Sequence, residues 1–287
     1  MKNKILLTGI SGNVGSAVVN YLQGANIGFV AGVRNIEKSK KKDNSIEYTH
    51  FDFEVANTYE SALKGVKKVF LVRPPQLTDV KGIFIPFIQK CKEAGVEQIV
   101  FLSLLGAQNN PFPPHHKIEK AMLASGIPYT FIRPSFFMQN LSTTHAQDIK
   151  ERNDLFIPSG KAKISFIDTR DIGEIIGRIL VEKGHENKAY SITGSESITY
   201  FQVADSMTRI LGRKITYSNP PLFKFRKEMI NRGIKKEFAT VMMILYLTTK
   251  LGMANHVTNT AEVLLKRKPR TIDDFIKDHV EVWVKEE

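Results

Sequence analysis

The chain has 287 residues, 42% of them hydrophobic and 24% charged, so it can bury the core of one full domain and a smaller appendage. Its apolar stretch at residues 238–247 is shorter than the ~20 residues of a membrane-spanning helix, so we expect no membrane partner. Its single cysteine, Cys91, excludes an intrachain disulfide and a redox pair. The net charge of +12 favours phosphorylated small molecules, and no recognition-helix or zinc-finger pattern indicates dedicated nucleic-acid binding.

The same features lead to two further expectations. Only the apolar residues 5–7 separate the basic start of the chain from Thr8 and Gly9, which is too few for a secretory signal, so we expect a cytoplasmic protein. Cys91 provides no metal site, and we expect no bound metal; its position in the amphipathic stretch 84–94 indicates a structural thiol.

A glycine-rich turn follows the first apolar run. Glycines at positions 9, 12 and 15 lie between a short buried strand and a segment with helical periodicity. Such a turn lets backbone amides approach phosphate oxygens, and the positive end of the next helix points to the same place. The turn predicts a site for a dinucleotide's pyrophosphate, formed by Thr8, Gly9, Ser11, Gly12, Asn13, Val14 and Gly15.

Strands and helices alternate along the next part of the chain. This alternation predicts a six-stranded, doubly wound parallel sheet of the Rossmann type. The strands are expected at residues 5–7, 28–33, 46–51, 68–72, 99–103 and 129–132, with helices at 57–63, 78–94 and 116–125.

The pattern loosens after Phe136. Two more strands, at 164–169 and 189–193, are expected to return to the edge of the sheet, and each precedes a helix, at 172–181 and 200–211. We therefore expect an NAD(P)-binding domain over residues 1–155, to which segments within 162–217 return. A smaller helical, substrate-binding cap of three or four helices is expected over 218–287.

The residue after the second strand indicates the cofactor. A site for NAD usually has Asp or Glu there to hold the ribose hydroxyls, whereas this chain has Arg34. A guanidinium fits a 2′-phosphate bidentately, which predicts a preference for NADPH over NADH. The alternative is a solvated arginine at the start of a loop. The lysine run at 38–42 also has two interpretations: it forms a solvated surface loop, or it helps to attract an anionic cofactor.

With these motifs the chain resembles the NmrA-like group of atypical short-chain dehydrogenases, which includes NAD(P)H-dependent quinone and azo reductases. The resemblance extends over most of the chain. It depends on the stretches 8–15, 33–35, 51–53, 125–134 with 136–141, 165–172 and 190–194.

The resemblance implies further site residues. Asp52 and Phe53 would contact the adenine edge, although Asp52 is equally well explained as a turn residue. Val72 would pass the nicotinamide ribose. Pro134, Phe136 and Phe137 would form the wall beside the nicotinamide, where the aromatic pair suits a flat apolar substrate; simple core packing is the alternative.

Catalysis is less well defined by the sequence. Carbonyl-reducing members of the wider group use a serine and a Tyr-x-x-x-Lys pair, and here only Ser103 is present. The family register places His115 and Glu119 at the tyrosine and lysine positions, although His116 and Lys120 are also four residues apart. Either His115 or His116 donates a proton, or both are ordinary residues at the start of a helix and the acceptor needs no protein acid. The candidate catalytic residues are His115 and Ser103.

The resemblance implies an NADPH-dependent reductase that transfers a hydride to a quinone-like or other conjugated small molecule. The missing Tyr-x-x-x-Lys motivates a second hypothesis, a non-catalytic NADP(H)-binding redox sensor that acts through a protein partner. Both a homodimer and a complex with another protein are compatible with the sequence.

Overall fold

A computed structural model describes residues 4–284 of the chain. Seven parallel strands form one sheet in the order β3-β2-β1-β4-β5-β6-β7. The predicted doubly wound parallel sheet is confirmed, and a seventh strand extends it beyond β6. The strands are β1 (Lys4–Leu7), β2 (Val30–Val33), β3 (Glu47–His50), β4 (Val66–Val72), β5 (Gln98–Leu102), β6 (Tyr129–Pro134) and β7 (Lys188–Ile192).

Helices flank the sheet and form most of the remaining structure. Between Val80 and Phe84 a short π-helical turn leads into the fourth of them. The α-helices are α1 (Asn13–Gly24), α2 (Ile36–Lys40), α3 (Thr58–Leu63), α4 (Ile85–Glu93), α5 (Pro114–Ser125), α6 (Ala146–Arg152), α7 (Thr169–Val181), α8 (Tyr200–Leu211), α9 (Leu222–Asn231), α10 (Lys236–Lys250), α11 (Thr260–Leu265), α12 (Ile272–Asp278) and α13 (Val280–Trp283).

The described chain divides into two compact units. The first comprises residues up to 134 together with 169–192, and the second comprises 135–168 together with the residues from 193 onward. This division differs from the expected boundaries, because 135–155 and 193–217 pack with the later helices. Among the described residues, 222–284 form five helices, where three or four were expected.

The segment 164–169 is not an edge strand of the sheet. Ile164 exchanges two backbone hydrogen bonds with Ile198, and the Ile167 amide donates to the Phe136 carbonyl. These partners satisfy the backbone groups that an edge strand would present to the sheet. Residues 164–168 therefore belong to the second unit, and Thr169 begins α7 of the first. The other predicted return, β7, pairs with β6 as expected.

The core of the first unit fixes the positions of the strand ends. The central strands are buried on both faces, as is usual for parallel sheets, and Leu6 lies opposite Val30 on one side and Val69 on the other. A cluster of aromatic rings packs under the third strand. It contains Phe51, Phe53, Tyr59, Phe84 and Phe87, with ring centroids 4.7–5.7 Å apart.

Cys91 lies in the same core cluster. Its side chain is fully buried, and burial raises the pKa of the thiol well above its ordinary value. The expectation of a structural thiol is consistent with this position, because a buried neutral thiol is a poor nucleophile.

Two glycines bring α7 against α1. A Cβ at Gly173 would lie 2.6 Å from the Ala17 Cβ, and one at Gly177 would lie 2.1 Å from the Tyr21 Cδ1. The close packing that these glycines allow holds α1 in place from the side opposite its contacts with the glycine-rich turn.

The second unit has its own core. It is built from side chains of the segments 138–166 and 198–283, with Phe225, Tyr246 and Trp283 among its large rings. The Trp283 indole Nε1 donates to the Leu141 carbonyl at 3.1 Å and joins the end of the described chain to the start of the unit. Of the helices in residues 4–284, none combines the length and apolarity that crossing a bilayer requires.

Candidate functional site

A cleft of about 1030 Å³ opens in the first unit at the carboxyl ends of β1 to β4. This is where open α/β sheets bind ligands. Most of the predicted cofactor-binding residues line it, namely Thr8, Gly9, Ser11, Gly12, Arg34, Asp52, Phe53 and Val72. Asn13, Val14 and Gly15 form the first turn of α1 beside it, and Pro134 ends β6.

The glycine turn has no room for a side chain at Gly9 or Gly15, but it has room at Gly12, where a phosphate would approach. Gly9 has φ +66°, and a Cβ there would lie 2.8 Å from the Val72 Cβ. A Cβ at Gly15 would lie 2.1 Å from the Gly9 carbonyl oxygen, so only glycine allows α1 to start against the turn. Gly12 is the N-cap of α1 and provides no side-chain cap, which leaves the first-turn amides available to an anion.

Thr8 has a structural role in addition to the predicted one. Its side chain is buried, and its hydroxyl donates to the Phe70 carbonyl at 3.0 Å and accepts from the Val72 amide at 2.9 Å. Thr8 thus joins β1 to β4 directly beneath the cleft. Direct contact of its hydroxyl with a cofactor remains a prediction.

The end of the cleft next to β2 is cationic. Arg34 is exposed there, and Lys38 and Lys42 line the same end. Within residues 4–284 the Arg34 guanidinium has no hydrogen-bond or ion-pair partner. Asn35 begins α2 by accepting a 2.8 Å hydrogen bond from the Lys38 amide, which orients Lys38. Two members of the lysine run therefore border the cleft, a grouping that the sequence alone did not reveal.

Asp52 and Phe53 border the cleft from β3. The Asp52 Oδ1 accepts from the Glu54 amide at 3.0 Å, so its carboxylate stabilises a turn, as the alternative interpretation held. Phe53 is mostly buried in the aromatic cluster. Contact of either residue with an adenine ring remains a prediction.

Arg73 shapes the loop after β4. Its Nη1 donates to the carbonyls of Pro74, Pro75 and Leu77 at 2.9–3.0 Å, which fixes residues 73–77 along the cleft. Its Nε is buried and has no hydrogen-bond partner among the described residues. No role for Arg73 could be predicted from the sequence, because its hydrogen bonds depend on the conformation of this loop.

Ser103 and Glu119 are held in one buried network. The Ser103 Oγ donates to the Glu119 Oε1 at 2.6 Å. The Arg133 Nε and Nη2 donate to the two Glu119 carboxylate oxygens at 2.9 and 2.6 Å, which makes a bidentate ion pair. The residue at the lysine position of the wider group is thus an anion that is already fully engaged, and Ser103 directs its proton to it.

His115 lies in the first turn of α5, close to Arg73. Its ring stacks on Phe101 with a centroid separation of 5.9 Å, and its Nδ1 is buried without a hydrogen-bond partner in the described part of the chain. Burial and, to a lesser extent, the positive charge of Arg73 lower the pKa of His115 to about 3. The imidazole is therefore neutral at pH 7. The neighbouring His116 is bonded through Nδ1 to the Ala107 carbonyl at 2.7 Å.

We expect His115 to make the protein less stable in mild acid. The unfolded chain takes up this proton near pH 6.5, whereas the folded chain resists it until about pH 3. Between these values the unfolded state binds more protons, so the free energy of unfolding falls as the pH drops. His115→Gln should flatten this fall when urea unfolding is compared at neutral pH and near pH 4.5.

A second buried histidine, His145, does not affect the difference between the wild type and His115→Gln. Burial lowers its pKa to about 4, but His145 contributes equally to the wild type and to His115→Gln. His116→Gln controls for the loss of a ring from the same turn of α5. The pKa assignment is contradicted if His115→Gln loses as much stability between the two pH values as the wild type does.

The proposed substrate-binding pair lies in the second unit. Phe136 is half-buried against its core cluster, and Phe137, also half-buried, precedes a short turn and pairs with Ile167. The core-packing alternative thus applies in part to Phe136. Contact of either ring with a substrate remains a prediction. Across residues 4–284 no group of three or more histidine, cysteine or acidic side chains could hold a metal ion.

Known proteins share this chain's sequence and fold over nearly its full length. A NAD(P)H azoreductase from Xenophilus azovorans is 32% identical over 280 residues, which are 96% of this chain and 97% of the relative. The structure of an NADPH-dependent quinone oxidoreductase from Escherichia coli, complexed with NADPH, has a TM-score of 0.86 and 26% identity, covering 96% of this chain and 99% of that one.

A triphenylmethane reductase from Citrobacter sp. has the same fold, with a TM-score of 0.86 at 21% identity, covering 97% of this chain and 99% of that one. The NmrA-like family model matches residues 1–276, which confirms the resemblance found in the sequence. With this match and the 32% identical relative, the chain belongs to the NmrA-like family.

Proposed function

We propose that the protein is an NADPH-dependent reductase that transfers a hydride to a quinone-like or other conjugated small molecule. The observation that carries this proposal is the cleft, which has a glycine turn at one end and Arg34, instead of an acidic residue, at the end of β2. The relatives described as an NAD(P)H azoreductase and an NADPH-dependent quinone oxidoreductase support the same cofactor class and reaction.

The residues of the cleft fit a phosphorylated dinucleotide. The uncapped first turn of α1 would hold the pyrophosphate, and Gly12 has space for it because its nearest neighbour is 3.5 Å from an added Cβ. Arg34, Lys38 and Lys42 would hold the 2′-phosphate. Asp52 and Phe53 would border the adenine.

The chain's own residues favour hydride transfer without a protein acid. When bound, the nicotinamide supplies the hydride. Ser103 donates to Glu119, Glu119 is an engaged anion, and His115 is neutral at pH 7, so none of the three offers an acidic proton. Quinones and azo compounds accept a hydride before protonation, and water can supply the proton. His115 then acts as a neutral hydrogen-bonding group through Nδ1, and the loop fixed by Arg73 contributes positioning.

A turnover assay tests the proposal. Purified protein is mixed with NADPH and a panel of quinones and azo dyes, and the nicotinamide absorbance is followed. We expect NADPH oxidation with at least one of these acceptors. Binding of NADPH without oxidation by any acceptor would contradict the reductase.

Because Ser103 and Glu119 are already hydrogen-bonded within the protein, they also fit the second candidate, an NADP(H) sensor that acts through a protein partner. A sensor would bind NADPH and NADP⁺ with different affinities, and it would turn over none of the acceptors. Calorimetric titration with both forms, beside the turnover assay, distinguishes the two functions.

Removal of the Arg34 side chain should weaken NADPH binding selectively. Each charge-assisted hydrogen bond to the 2′-phosphate contributes about 1.5–3 kcal/mol, so Arg34→Ala should lower NADPH affinity about tenfold or more. NADH, which lacks this phosphate, should bind almost unchanged. Calorimetric titration with NADPH, NADH, NADP⁺ and NAD⁺ measures the difference.

Lys40→Ala is the matched control, because Lys40 is an exposed cation of α2 that does not line the cleft. Arg34→Lys keeps the charge but loses the bidentate geometry, and it should fall between the wild type and Arg34→Ala. If Arg34→Ala keeps the wild-type preference for the phosphorylated cofactors, the assignment of Arg34 is wrong.

A further inference from the structure

The helix α10 has an apolar face on its outer side. Ala239, Met242, Tyr246 and Thr249 are buried and occupy one face. Large apolar side chains on the opposite side are exposed, and no charged residue occurs from position 238 to 249. The exposed fractions are 58% for Val241, 50% for Ile244 and 67% for Leu251, which follows the helix. A helix at the surface of a globular unit normally carries polar residues there.

The neighbouring helix α9 exposes one aromatic ring and two lysines. Phe225 and Met229 form its buried face. Phe223 is 78% exposed, and Lys224 and Lys227 are also exposed, on the side that helical spacing places opposite the buried residues. The two helices pack side by side. We call the exposed residues Phe223, Lys224, Lys227, Val241, Ile244 and Leu251 the α9–α10 surface.

The two helices of this surface and the loop between them are basic. Residues 222–250 contain seven lysines and arginines and two glutamates, a net charge of +5. Some of these cations are engaged; Arg226 donates to Thr240 and Arg232 pairs with Asp148. The lysines on α9 and at both ends of α10 are exposed to solvent, where they can contact an anionic partner.

A partner for this surface must be both apolar and negatively charged. A second copy of the chain would oppose one net +5 segment with another in a two-fold dimer, which is repulsive. A bilayer that contains anionic phospholipid offers both properties, because acyl chains accept the side chains of Val241, Ile244 and Leu251 while phosphates attract the lysines. We propose that the α9–α10 surface docks the protein on an anionic phospholipid bilayer.

In this arrangement α10 lies in the plane of the headgroups. With 15 residues it is too short to span the hydrocarbon core, and the docking is reversible because it depends on a few apolar side chains and on screened charges. The inference is independent of the cofactor, since it uses only residues of the second unit.

Vesicle sedimentation tests the proposal. The full chain is mixed with phosphatidylcholine vesicles, or with vesicles that also contain about a third phosphatidylglycerol, at low and high salt. We expect sedimentation with the anionic vesicles at low salt, weak binding to the neutral vesicles, and release by salt. Absence of binding to the anionic vesicles would overturn the proposal.

Two double variants separate the two contributions. Lys224→Glu with Lys227→Glu should weaken partitioning onto anionic vesicles at least tenfold, since each lysine contributes about fivefold. Ile244→Ser with Leu251→Ser should also weaken it severalfold while the charge is unchanged. Leu123→Ser, which changes an exposed leucine of the first unit, should bind like the wild type.

Melting temperatures of all variants establish that they are folded. Analytical ultracentrifugation without lipid then tests the second copy as the occupant. If the surface binds lipid and not a second copy, the wild type and the Ile244→Ser, Leu251→Ser variant should have the same sedimentation coefficient. A dimer of the wild type that this variant dissociates would overturn it.

Discussion

Replacing Gly15 with alanine should lower the melting temperature markedly and abolish dinucleotide binding. The added Cβ would lie 2.1 Å from the Gly9 carbonyl oxygen, 2.7 Å from the Gly9 carbonyl carbon and 2.9 Å from the Ile10 Cα. All three are backbone atoms, so no side-chain rotation relieves the clash. Overpacking of this kind costs about 1–3 kcal/mol or more, which exceeds the ~1 kcal/mol that alanine gains over glycine in a helix.

The clash also displaces the turn that the cofactor needs. Gly9 would have to move relative to α1, and with it the amides that face the phosphates. We therefore expect a melting temperature lower by several degrees and an NADPH affinity too weak to measure by calorimetry. Thermal unfolding followed by circular dichroism and titration with NADPH measure the two effects.

Two other glycines separate steric strain from ligand contact. Gly24 is exposed at the end of α1, and nothing lies within 4 Å of an added Cβ, so Gly24→Ala should behave like the wild type or be slightly more stable. At Gly12 an added Cβ makes an ordinary 3.5 Å contact. Gly12→Ala should keep its melting temperature but lose NADPH affinity, because the pyrophosphate is expected to occupy that space. A Gly15→Ala protein that melts and binds like the wild type would contradict the geometry of the turn.

Local sequence patterns were sufficient to predict the sheet, but not the path of the chain at its edge. The strands β1 to β6 and the glycines between β1 and α1 could be recognised because each pattern consists of residues that are close together in the sequence. The segment 164–169 has the same apolar character as a strand. Its backbone bonds to Ile198 and to Ala254, residues that are distant in sequence and that no periodicity identifies. Residues 193–217 likewise pack with helices that are distant in sequence, which is why they join the second unit.

The candidate site divides in a similar way. Arg34 and the glycine turn could be predicted, because their meaning depends on their place after a strand. The bonds of Thr8 to β4 and the cationic grouping of Arg34 with Lys42 required the structure, since they depend on how separate segments meet. The sequence identified Glu119 at the position of an expected lysine. It could not reveal that Arg133, near the end of β6, forms an ion pair with Glu119 on α5.

Breaking the buried pair of Glu119 and Arg133 should destabilise the first unit strongly. The two side chains are only 5% and 13% exposed, and their shortest N–O distance is 2.6 Å. Glu119→Ala leaves the Arg133 guanidinium desolvated and without its counter-ion, and removal of one partner from such a pair costs about 3–5 kcal/mol of the free energy of unfolding. Urea unfolding monitored by circular dichroism measures the loss.

A double variant tests whether the charge or the packing is responsible. Glu119→Leu together with Arg133→Met removes both charges and keeps apolar volume, so it should recover much of the stability that Glu119→Ala loses. A double variant that is no more stable than Glu119→Ala would mean that the cost comes from lost packing, not from an unpaired cation.

Ser103→Ala separates a structural serine from a catalytic one. Because the Ser103 hydroxyl donates to the Glu119 carboxylate, we expect its loss to lower the free energy of unfolding by about 1.5–3 kcal/mol. In the Glu119→Leu, Arg133→Met background the same substitution should cost less, since the acceptor is gone. A serine that acts on the substrate would give the opposite result: Ser103→Ala would lower kcat in both backgrounds and leave the unfolding free energy nearly unchanged. Reduction without a protein acid requires the first outcome, because the Ser103 hydroxyl then stays hydrogen-bonded to the carboxylate of Glu119 and gives no proton to the substrate.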